Sequence, residues 1–583
     1  MERLDPQVYS GATSGSATST DAVLTARVRF FAACILALAG LIAAVYGRRA
    51  MQSDGISYLD MGEAILRGDW KMAVNGHWSP LYPWLQGLAL RLLRPSAYWE
   101  FTVVHLVNFL IYLFALVGFD YLLRAVVADR PRIVDRGDRT SRLPKWAAFA
   151  VGYSVFAWSS LTLITLERVS PDLLLAGFIY LAAGLLLRCW AQPQRYSLFV
   201  RLGAVLAFAY LAKAAGLPLA VLFLMLSWIL VSDWRKAAPR VLVAVVVFIA
   251  IAGPWIAALS RAKGRFTFGD SARFTYLTEV NHASPSWYVQ NLGDATGHLA
   301  HPARRINDSP PIYEFASPVK GTIPIWYDPS YWCEGAVPRV ILKEQLSVVH
   351  RWLAVYFDMI FDSQAGLLVG FLVLCFMGGT SLFLKQMRAL WPIWVIGLAG
   401  LGIYALVVVA PRYVAVFFAL LWVGLYSRLT VPSSREAQRL VSLVVIAVVI
   451  ATATPVAVST AGRMIQAIKG QPHAEWQAAE DLRTLGVKPG DQVARIGGRF
   501  SVDWARLLRV TVVAEVPRPD AKEFWWGTPN VQANVIETFR NLGVTAIIAE
   551  QTPPDPLFVP GPEWYRLGDG TLYALRLTAD GTK

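Results

Sequence analysis

The sequence carries little charge. Asp, Glu, Lys and Arg make up 16% of its 583 residues and hydrophobic residues 55%, whereas an average soluble chain has about 25% charged residues. This composition indicates an integral membrane protein. The net charge of +14 does not favour nucleic-acid binding, because the basic residues form short clusters between apolar segments, where membrane topology accounts for them.

The sequence is also poor in cysteine and has no repeat at a fixed period. Its four cysteines are scattered, so they build neither a disulfide framework nor a CxxC metal site. The lack of a repeat argues against an inverted-repeat transporter. Residues 1–20 are rich in Ser, Thr and Gly, and the apolar run from Val28 to Tyr46 is long enough to span a bilayer. We therefore expect residues 1–27 to form a disordered cytoplasmic tail before a retained first span.

Long apolar runs are abundant. They predict about eleven transmembrane helices within residues 28–460, and the runs begin near residues 28, 101, 146, 172, 201, 217, 240, 366, 390, 412 and 440. Lys and Arg in alternate short loops, beginning with the cluster at 130–145, mark the cytoplasmic side. The amino terminus is then cytoplasmic, and the odd number of spans places the carboxyl-terminal region outside.

From residue 461 the composition becomes that of a soluble domain. The segments QVARI, VTVVAEV, VTAIIAE and TLYALRL have the length and β-branched content of strands, and residues 475–484 and 529–542 have helical spacing. These patterns predict a small extracytoplasmic α/β domain over residues 461–583, to which no catalysis is assigned.

The first outer loop, residues 47–98, places a carboxylate just beyond the first span. Asp54 opens the segment SDGISYLDMG, where it is either a helix N-cap or an ionisable group lining a cavity. Asp60 and Glu63 follow on the same predicted helix, where a solvated face is expected. In HWSPLYPWL, His77 either holds a phosphate, orients a carboxylate or is structural.

Other charges on the same side of the membrane are few. Lys213 in YLAKAAGLPL either extends its amine to the membrane interface or faces a phosphate. The same two alternatives apply to Arg412 in the PRY triplet, whose planar guanidinium can bind two phosphate oxygens. In ERVSPDLLL, Asp172 fits a helix cap, whereas Glu167 has no such role and is a candidate second carboxylate. The long outer loop at 261–362 is rich in aromatic residues, Pro and Gly, which favours a lid or sugar-binding loop over disorder.

These segments together resemble the bacterial polytopic glycosyltransferases of the GT-C superfamily, in the clan of the protein O-mannosyltransferases and aminoarabinose transferases. The resemblance rests on SDGISYLDMG, RGDW and NGHWSPLYPWL in the first outer loop, then ERVSPDLLL, YLAKAAGLPL and PRY. It covers residues 28–430. The mannosyltransferases have an Asp-Glu pair where this chain has Asp54-Gly55, and the aminoarabinose enzymes have Lys-Pro-Pro at Trp78-Ser79-Pro80, so the sugar and the acceptor stay open.

The resemblance implies an inverting transfer of one sugar from a polyprenyl-phosphate donor to an acceptor on the outer face of the bacterial cytoplasmic membrane. The acceptor is a glycolipid, a polysaccharide or a protein. Asp54 takes the position of the presumed base, with Glu167 as a possible partner. The expected substrate-binding residues are His77, Lys213, Arg412, Tyr58 and Tyr413. No metal site is predicted from ligand spacing, although a divalent cation, Mg²⁺ or Mn²⁺, at Asp54 and Glu167 is an open alternative. The rival function is a transporter or flippase of lipid-linked sugars.

Overall fold

The computed structural model describes residues 14–128, 140–231, 233–284, 292–315, 319–470, 474–498, 502–550, 561–568 and 572–577. The basic cluster at 130–139 and the first part of the predicted tail lie outside these ranges. The protein is mostly helical. The helices up to the long loop are α1 (Ser14–Tyr46), α2 (Ser53–Leu66), α3 (Trp70–Ala73), α4 (Leu81–Leu93), α5 (Glu100–Val127), α6 (Lys145–Trp158), α7 (Asp172–Ala191), α8 (Tyr196–Ala212), α9 (Gly216–Leu230) and α10 (Trp234–Ala262).

The second half of the chain continues with more helices and a sheet. The helices are α11 (Ser271–Glu279), α12 (Pro324–Tyr327), α13 (Pro329–Trp332), α14 (Leu342–Phe361), α15 (Ala365–Gly378), α16 (Thr380–Met387), α17 (Trp391–Ala405), α18 (Pro411–Ser427), α19 (Arg435–Lys469), α20 (Ala474–Thr484), α21 (Asp503–Leu508), α22 (Ala521–Trp525) and α23 (Pro529–Asn541). The strands are β1 (Thr140–Arg142), β2 (Arg304–Asp308), β3 (Pro311–Glu314), β4 (Thr430–Pro432), β5 (Gln492–Ile496), β6 (Thr511–Val516), β7 (Ala546–Glu550), β8 (Tyr565–Leu567) and β9 (Leu572–Arg576).

Every apolar run in the sequence lies on a helix. Among the described residues, six helices are long and apolar enough to cross a membrane, and α14 with α15 forms a seventh candidate that bends by 69°. Four shorter apolar helices, α8, α9, α17 and α18, account for the remaining runs. The first helix already begins at Ser14, inside the predicted tail, because extending an existing helix costs far less than starting one. The number of crossings stays a prediction.

Helix α2, which carries Asp54, packs closely against α4. A Cβ on Gly62 would lie 2.6 Å from the Pro83 carbonyl oxygen, and one on Gly87 would lie 2.8 Å from the Gly62 carbonyl oxygen. The two backbones can approach this closely only because both positions are glycine. Helix α4 in turn packs on α5, so α2 has a fixed place beside the membrane helices.

The carboxyl-terminal region forms a seven-stranded sheet with strand order β2-β3-β6-β5-β7-β9-β8. The four predicted strands are β5, β6, β7 and β9, and the two predicted helices are α20 and α23. Strand β5 runs parallel to both β6 and β7, and the other pairs are antiparallel. Strands β2 and β3 come from the long outer loop, so the sheet is larger than residues 461–583 alone predict.

This domain packs directly on the membrane helices. One hydrophobic core runs without a break from the helix bundle to Trp504 and Val512, and a second core fills the other face of the sheet. The expectation that Asp60 and Glu63 form a solvated face is wrong, because Arg506 of α21 contacts both carboxylates. Glu100, at the start of α5, joins the same buried cluster.

Candidate functional site

A cavity of about 340 Å³ lies where α2, α7, α18 and the corner between α8 and α9 meet. Apolar side chains and glycine form much of its wall, with a few charged groups among them. Six of the seven predicted site residues line it: Asp54, Tyr58, His77, Lys213, Arg412 and Tyr413. An apolar cavity with a few convergent polar groups is the usual form of a small-molecule site.

Asp54 lies in the first turn of α2, but it is not the helix N-cap. The N-cap is Gln52, whose side chain makes no capping hydrogen bond. The Asp54 carboxylate instead reaches the cavity, where Oδ1 accepts a hydrogen bond of 3.0 Å from the indole Nε1 of Trp326. Its Oδ2 lies 4.0 Å from Nη2 of Arg412. The hydrogen bond from Trp326 therefore holds the Asp54 side chain at the wall of the cavity.

Asp172 connects the two cations of the cavity. Its side chain is 3% exposed, with Oδ1 2.5 Å from Nζ of Lys213 and Oδ2 3.3 Å from Nε of Arg412. The expectation that Asp172 serves as a helix cap is therefore incomplete. It does begin α7, but its carboxylate also brings together an amine and a guanidinium from distant parts of the sequence.

Both cations keep hydrogen-bond donors for a ligand. Lys213 lies at the break between α8 and α9, in extended backbone, and its amine sits 3.7 Å from the centre of the Tyr413 ring. Arg412 follows Pro411, the first residue of α18, and donates from Nη2 to the Tyr413 hydroxyl at 2.9 Å. An ammonium has three N–H donors and a guanidinium five, so these contacts leave several free for phosphate oxygens.

His77 and Tyr58 are uncharged at neutral pH. Burial lowers the pKa of His77 to about 4, and its ring packs against Trp78 and Phe274. Burial raises the pKa of Tyr58 well above its ordinary value. Neither group is therefore an ionic partner for phosphate, although each offers a polar edge to the cavity.

Glu167 lies elsewhere. It lines a separate cavity of about 700 Å³, together with Arg48 and Gln466, between the ends of α1 and α19. There it forms an ion pair with Arg463 of α19. Glu167 is only five residues before Asp172 in the sequence, but the two side chains line different cavities because a turn precedes α7. Glu167 therefore does not share a cavity with Asp54.

A divalent cation is a poor fit to these carboxylates. Asp54 and Glu167 do not share a site, and the nearby Asp172 has its oxygens against Lys213 and Arg412, which would repel a dication. Within the described ranges, no three His, Cys, Asp or Glu side chains lie together in a metal-binding group. Mg²⁺ and similar ions require several oxygen ligands around one position, and Asp54 and Glu167 do not provide such a set.

Sequence reasoning missed two residues that contact the predicted site residues. Asp172 was assigned to capping, although its charge lies on the same face as two unexplained cations. Trp326 is one of many aromatic residues of the long loop, and nothing in its local sequence singles it out. Its contact with Asp54 joins residues that are 272 positions apart.

Comparison with known proteins identifies the fold. No protein-family model and no curated protein matches the chain. Among solved structures, ArnT from Cupriavidus metallidurans bound to undecaprenyl phosphate is similar over 98% of this chain and 100% of its own, with 13% identity and a TM-score of 0.51. An Archaeoglobus fulgidus oligosaccharyltransferase, solved with Zn and sulfate, is 12% identical over 88% of this chain and 68% of its own, with a TM-score of 0.47. The likeness to ArnT shows that the chain has a GT-C-like fold, and its apolar helices make it a membrane protein.

Proposed function

We propose that the protein is a membrane glycosyltransferase that moves a sugar from a polyprenyl-phosphate donor to an acceptor hydroxyl on the outer face of the cytoplasmic membrane. The observation that carries the proposal is the shared cavity of Asp54, Lys213 and Arg412. A carboxylate and two cations around a mostly apolar space are the groups that a sugar phosphate needs for transfer. That the structurally similar ArnT was solved with undecaprenyl phosphate supports a donor of this class.

In the proposed reaction, the acceptor oxygen attacks the anomeric carbon while the bond from that carbon to the phosphate oxygen breaks. Asp54 takes the acceptor proton, and the bonding electrons leave on the phosphate oxygen, giving polyprenyl phosphate. Attack opposite the leaving group inverts the anomeric configuration. A positioned general base contributes about 10²- to 10⁴-fold to such a step.

The leaving group sets the requirement for cations. A phosphate monoester has a second pKa of about 6, so it leaves without a general acid, but its negative charge grows as the bond breaks. Lys213 and Arg412 neutralise that charge, and their effect is strong because the cavity is poorly solvated. Asp172 keeps both cations in place before the donor arrives.

The aromatic residues suit the sugar. Trp78 lines the cavity next to His77, and Trp326 approaches Asp54 from the long loop. Flat aromatic faces pack against sugar rings, so the part of the wall at Trp78 is the proposed side for the transferred sugar. The phosphate then lies toward Lys213 and Arg412, with the polyprenyl chain passing the apolar helices α9 and α17.

The test is a transfer assay with the full-length protein in lipid nanodiscs. A panel of polyprenyl-phosphate sugars is supplied with candidate acceptors, and released polyprenyl phosphate and glycosylated product are quantified. Asp54→Asn is expected to lower turnover by about 10²-fold or more. Asp69→Asn is the matched control, because Asp69 caps α3 in the same loop and Asn caps equally well.

Full turnover by Asp54→Asn would remove Asp54 as the base. Movement of an intact donor across the membrane, with no cleavage of the sugar phosphate bond, would instead support the rival function of a flippase.

A further inference from the structure

One short stretch of the long loop follows the face of α2 that begins with Asp54. This stretch, residues 321–328, is called the bracket below. Trp326 donates from its indole nitrogen to Asp54, at 3.0 Å, and its carbonyl accepts a hydrogen bond of 3.0 Å from the Ser57 hydroxyl. Thr322 donates its backbone N–H to Asp60 at 2.7 Å and its hydroxyl to the same carboxylate at 3.1 Å. Positions three residues apart share a helix face, so the bracket holds α2 along two turns.

The bracket is also fastened to the rest of the first outer loop. Asn75 donates its side-chain amide to the Tyr327 carbonyl at 2.6 Å, and the Gly76 backbone N–H donates to Asp328 at 3.1 Å. These bonds join the bracket to the segment that carries His77. The bracket therefore contacts both Asp54 and the segment that leads to His77, two parts of the chain that line the cavity.

The carboxyl-terminal domain holds the same helix through the Asp60 carboxylate that the bracket also contacts. Arg506 is 2% exposed, and its guanidinium contacts Asp60 at 2.6 Å, Glu63 at 2.5 Å and Glu100 at 2.5 Å. Arg509 contacts Glu63 at 2.6 Å and Glu100 at 2.9 Å. The domain also touches the bracket itself, since the backbone N–H of Val512 in β6 donates to the Thr322 carbonyl at 3.0 Å.

Such a cluster fixes geometry more than it adds stability. Buried ions gain little net free energy from pairing, but removing one partner leaves an uncompensated charge and is strongly unfavourable. Because the guanidinium of Arg506 is planar and its donors are directional, three carboxylates on two helices have one arrangement around it. Asp60 lies within two turns of Asp54, so the same arrangement sets the direction of the catalytic carboxylate.

We propose that the bracket and the carboxyl-terminal α/β domain are a positioning device for Asp54, with Trp326 and Arg506 as its positioning residues. The proposal rests on the proposed function. Trp326 occupies Oδ1 of Asp54 and leaves Oδ2 directed at the cavity, where the acceptor hydroxyl must lie. Arg506 holds the helix that presents this carboxylate. The domain contributes to the rate without contacting the substrate.

The first test is Trp326→Phe in the nanodisc assay, which removes the indole N–H and keeps an aromatic ring. We expect kcat to fall between about 10- and 100-fold, since a misplaced catalytic group costs rates of this order, while KM for the donor and the melting temperature stay close to wild type. Trp422→Phe is the matched control. Trp422 lies in α18, and its indole donates to the side-chain oxygen of Gln364, so it contacts neither the bracket nor Asp54.

A double-mutant cycle separates positioning from a general structural effect. If Trp326 acts through Asp54, Trp326→Phe adds no further loss to the residual rate of Asp54→Asn, whereas two independent defects multiply. Multiplicative losses would overturn the proposal.

The second test replaces Arg506 by another positively charged residue. Arg506→Lys loses the planar fork, and we expect kcat to fall with an unchanged KM. Arg495→Lys is its control, because Arg495 forms a buried pair with Glu515 inside the sheet. This control is expected to lower the melting temperature without lowering kcat. Equal kcat values for the two variants would show that Arg506 only stabilises its domain.

The outcomes distinguish this proposal from the proposed function. If Asp54→Asn abolishes transfer while Trp326→Phe is as active as Trp422→Phe, the proposed glycosyltransferase activity is supported and the positioning role of Trp326 is wrong. If the wild-type protein cleaves no polyprenyl-phosphate sugar, or if Asp54→Asn is fully active, both fall.

Discussion

Asp172 and Lys213 form the shortest charged contact in the cavity, with Oδ1 and Nζ 2.5 Å apart. The same carboxylate lies 3.3 Å from Arg412, so the two cations proposed for the phosphate already share an internal counter-ion. An incoming phosphate must compete with Asp172 for both of them. We expect this competition to keep polyprenyl phosphate, the product of the proposed reaction, from being held too tightly after transfer.

The competition predicts the effect of Asp172→Asn. We expect this variant to bind polyprenyl phosphate more tightly than wild type, because the neutral amide no longer competes for Lys213 and Arg412. We also expect kcat to fall by about tenfold or more, since the cations lose their orientation and the product leaves slowly. Equilibrium binding in nanodiscs and steady-state turnover measure the two effects. Weaker binding in the variant would show that Asp172 chiefly holds the cations in place.

Arg412→Lys is predicted to weaken polyprenyl-phosphate binding by about tenfold, which corresponds to the loss of one hydrogen bond to a charged group. A lysine keeps the charge but cannot grip two phosphate oxygens with a planar fork. Binding titrations are compared with those of Arg463→Lys, which makes the same change in the cavity that contains Glu167. Equal affinities in the two variants would place the phosphate away from Arg412.

The cluster around Arg506 gives a prediction on acid stability. Burial raises the pKa of Glu63, but Arg506 and Arg509 outweigh it and lower the pKa from 4.5 to about 2. A depressed carboxyl pKa stabilises the fold above the unfolded value, and this contribution is lost as pH falls from 4.5 toward 2. Glu63→Gln should therefore lower the melting temperature clearly at pH 7 and much less near the acid end of this window. A difference that does not change with pH would mean that Glu63 acts through packing alone.

Asp503 predicts the opposite trend. Burial, with Glu475 nearby, raises the pKa of the Asp503 carboxyl from 3.8 to about 8. The folded state then binds a proton that the unfolded state releases, so stability declines as pH rises from 3.8 through 8. Asp503→Asn removes this penalty, and we expect the gain in melting temperature over wild type to grow between pH 6 and about pH 9. Thermal melts of both proteins across that range test it, and a gain that shrinks with pH would contradict the assignment.

The sequence was most informative about charged residues whose side of the membrane can be predicted. Asp54, Lys213 and Arg412 were identified because apolar spans and basic loops assign every loop to one side, and charges on the other side require a reason. The strands and helices of the last domain followed from local periodicity. The GT-C-like fold followed from short motifs near those charges.

The remainder depends on pairings that leave no local signal. Asp60 and Glu63 have the spacing of a solvated helix face, but both contact Arg506, which is 446 residues beyond Asp60, and Asp60 is buried. Glu167 and Asp172 are neighbours in sequence, yet one turn separates them into different cavities. Asp172 has the sequence context of a helix start, and that context already explains an Asp at this position. The sequence alone therefore could not predict its contacts with Lys213 and Arg412.

The β2–β3 hairpin has a consequence for how the chain assembles. Strand β3 pairs with β6, so a sheet formed mostly by the last segment of the chain is completed by a loop synthesised much earlier. A fragment containing only residues 461–583 would expose β6 as an unpaired edge, and such edges promote aggregation. The hairpin of the long loop must in turn wait until β6 has been synthesised before it finds its partner. We therefore expect the loop segment that contacts Asp54 to become ordered only after β6 has formed.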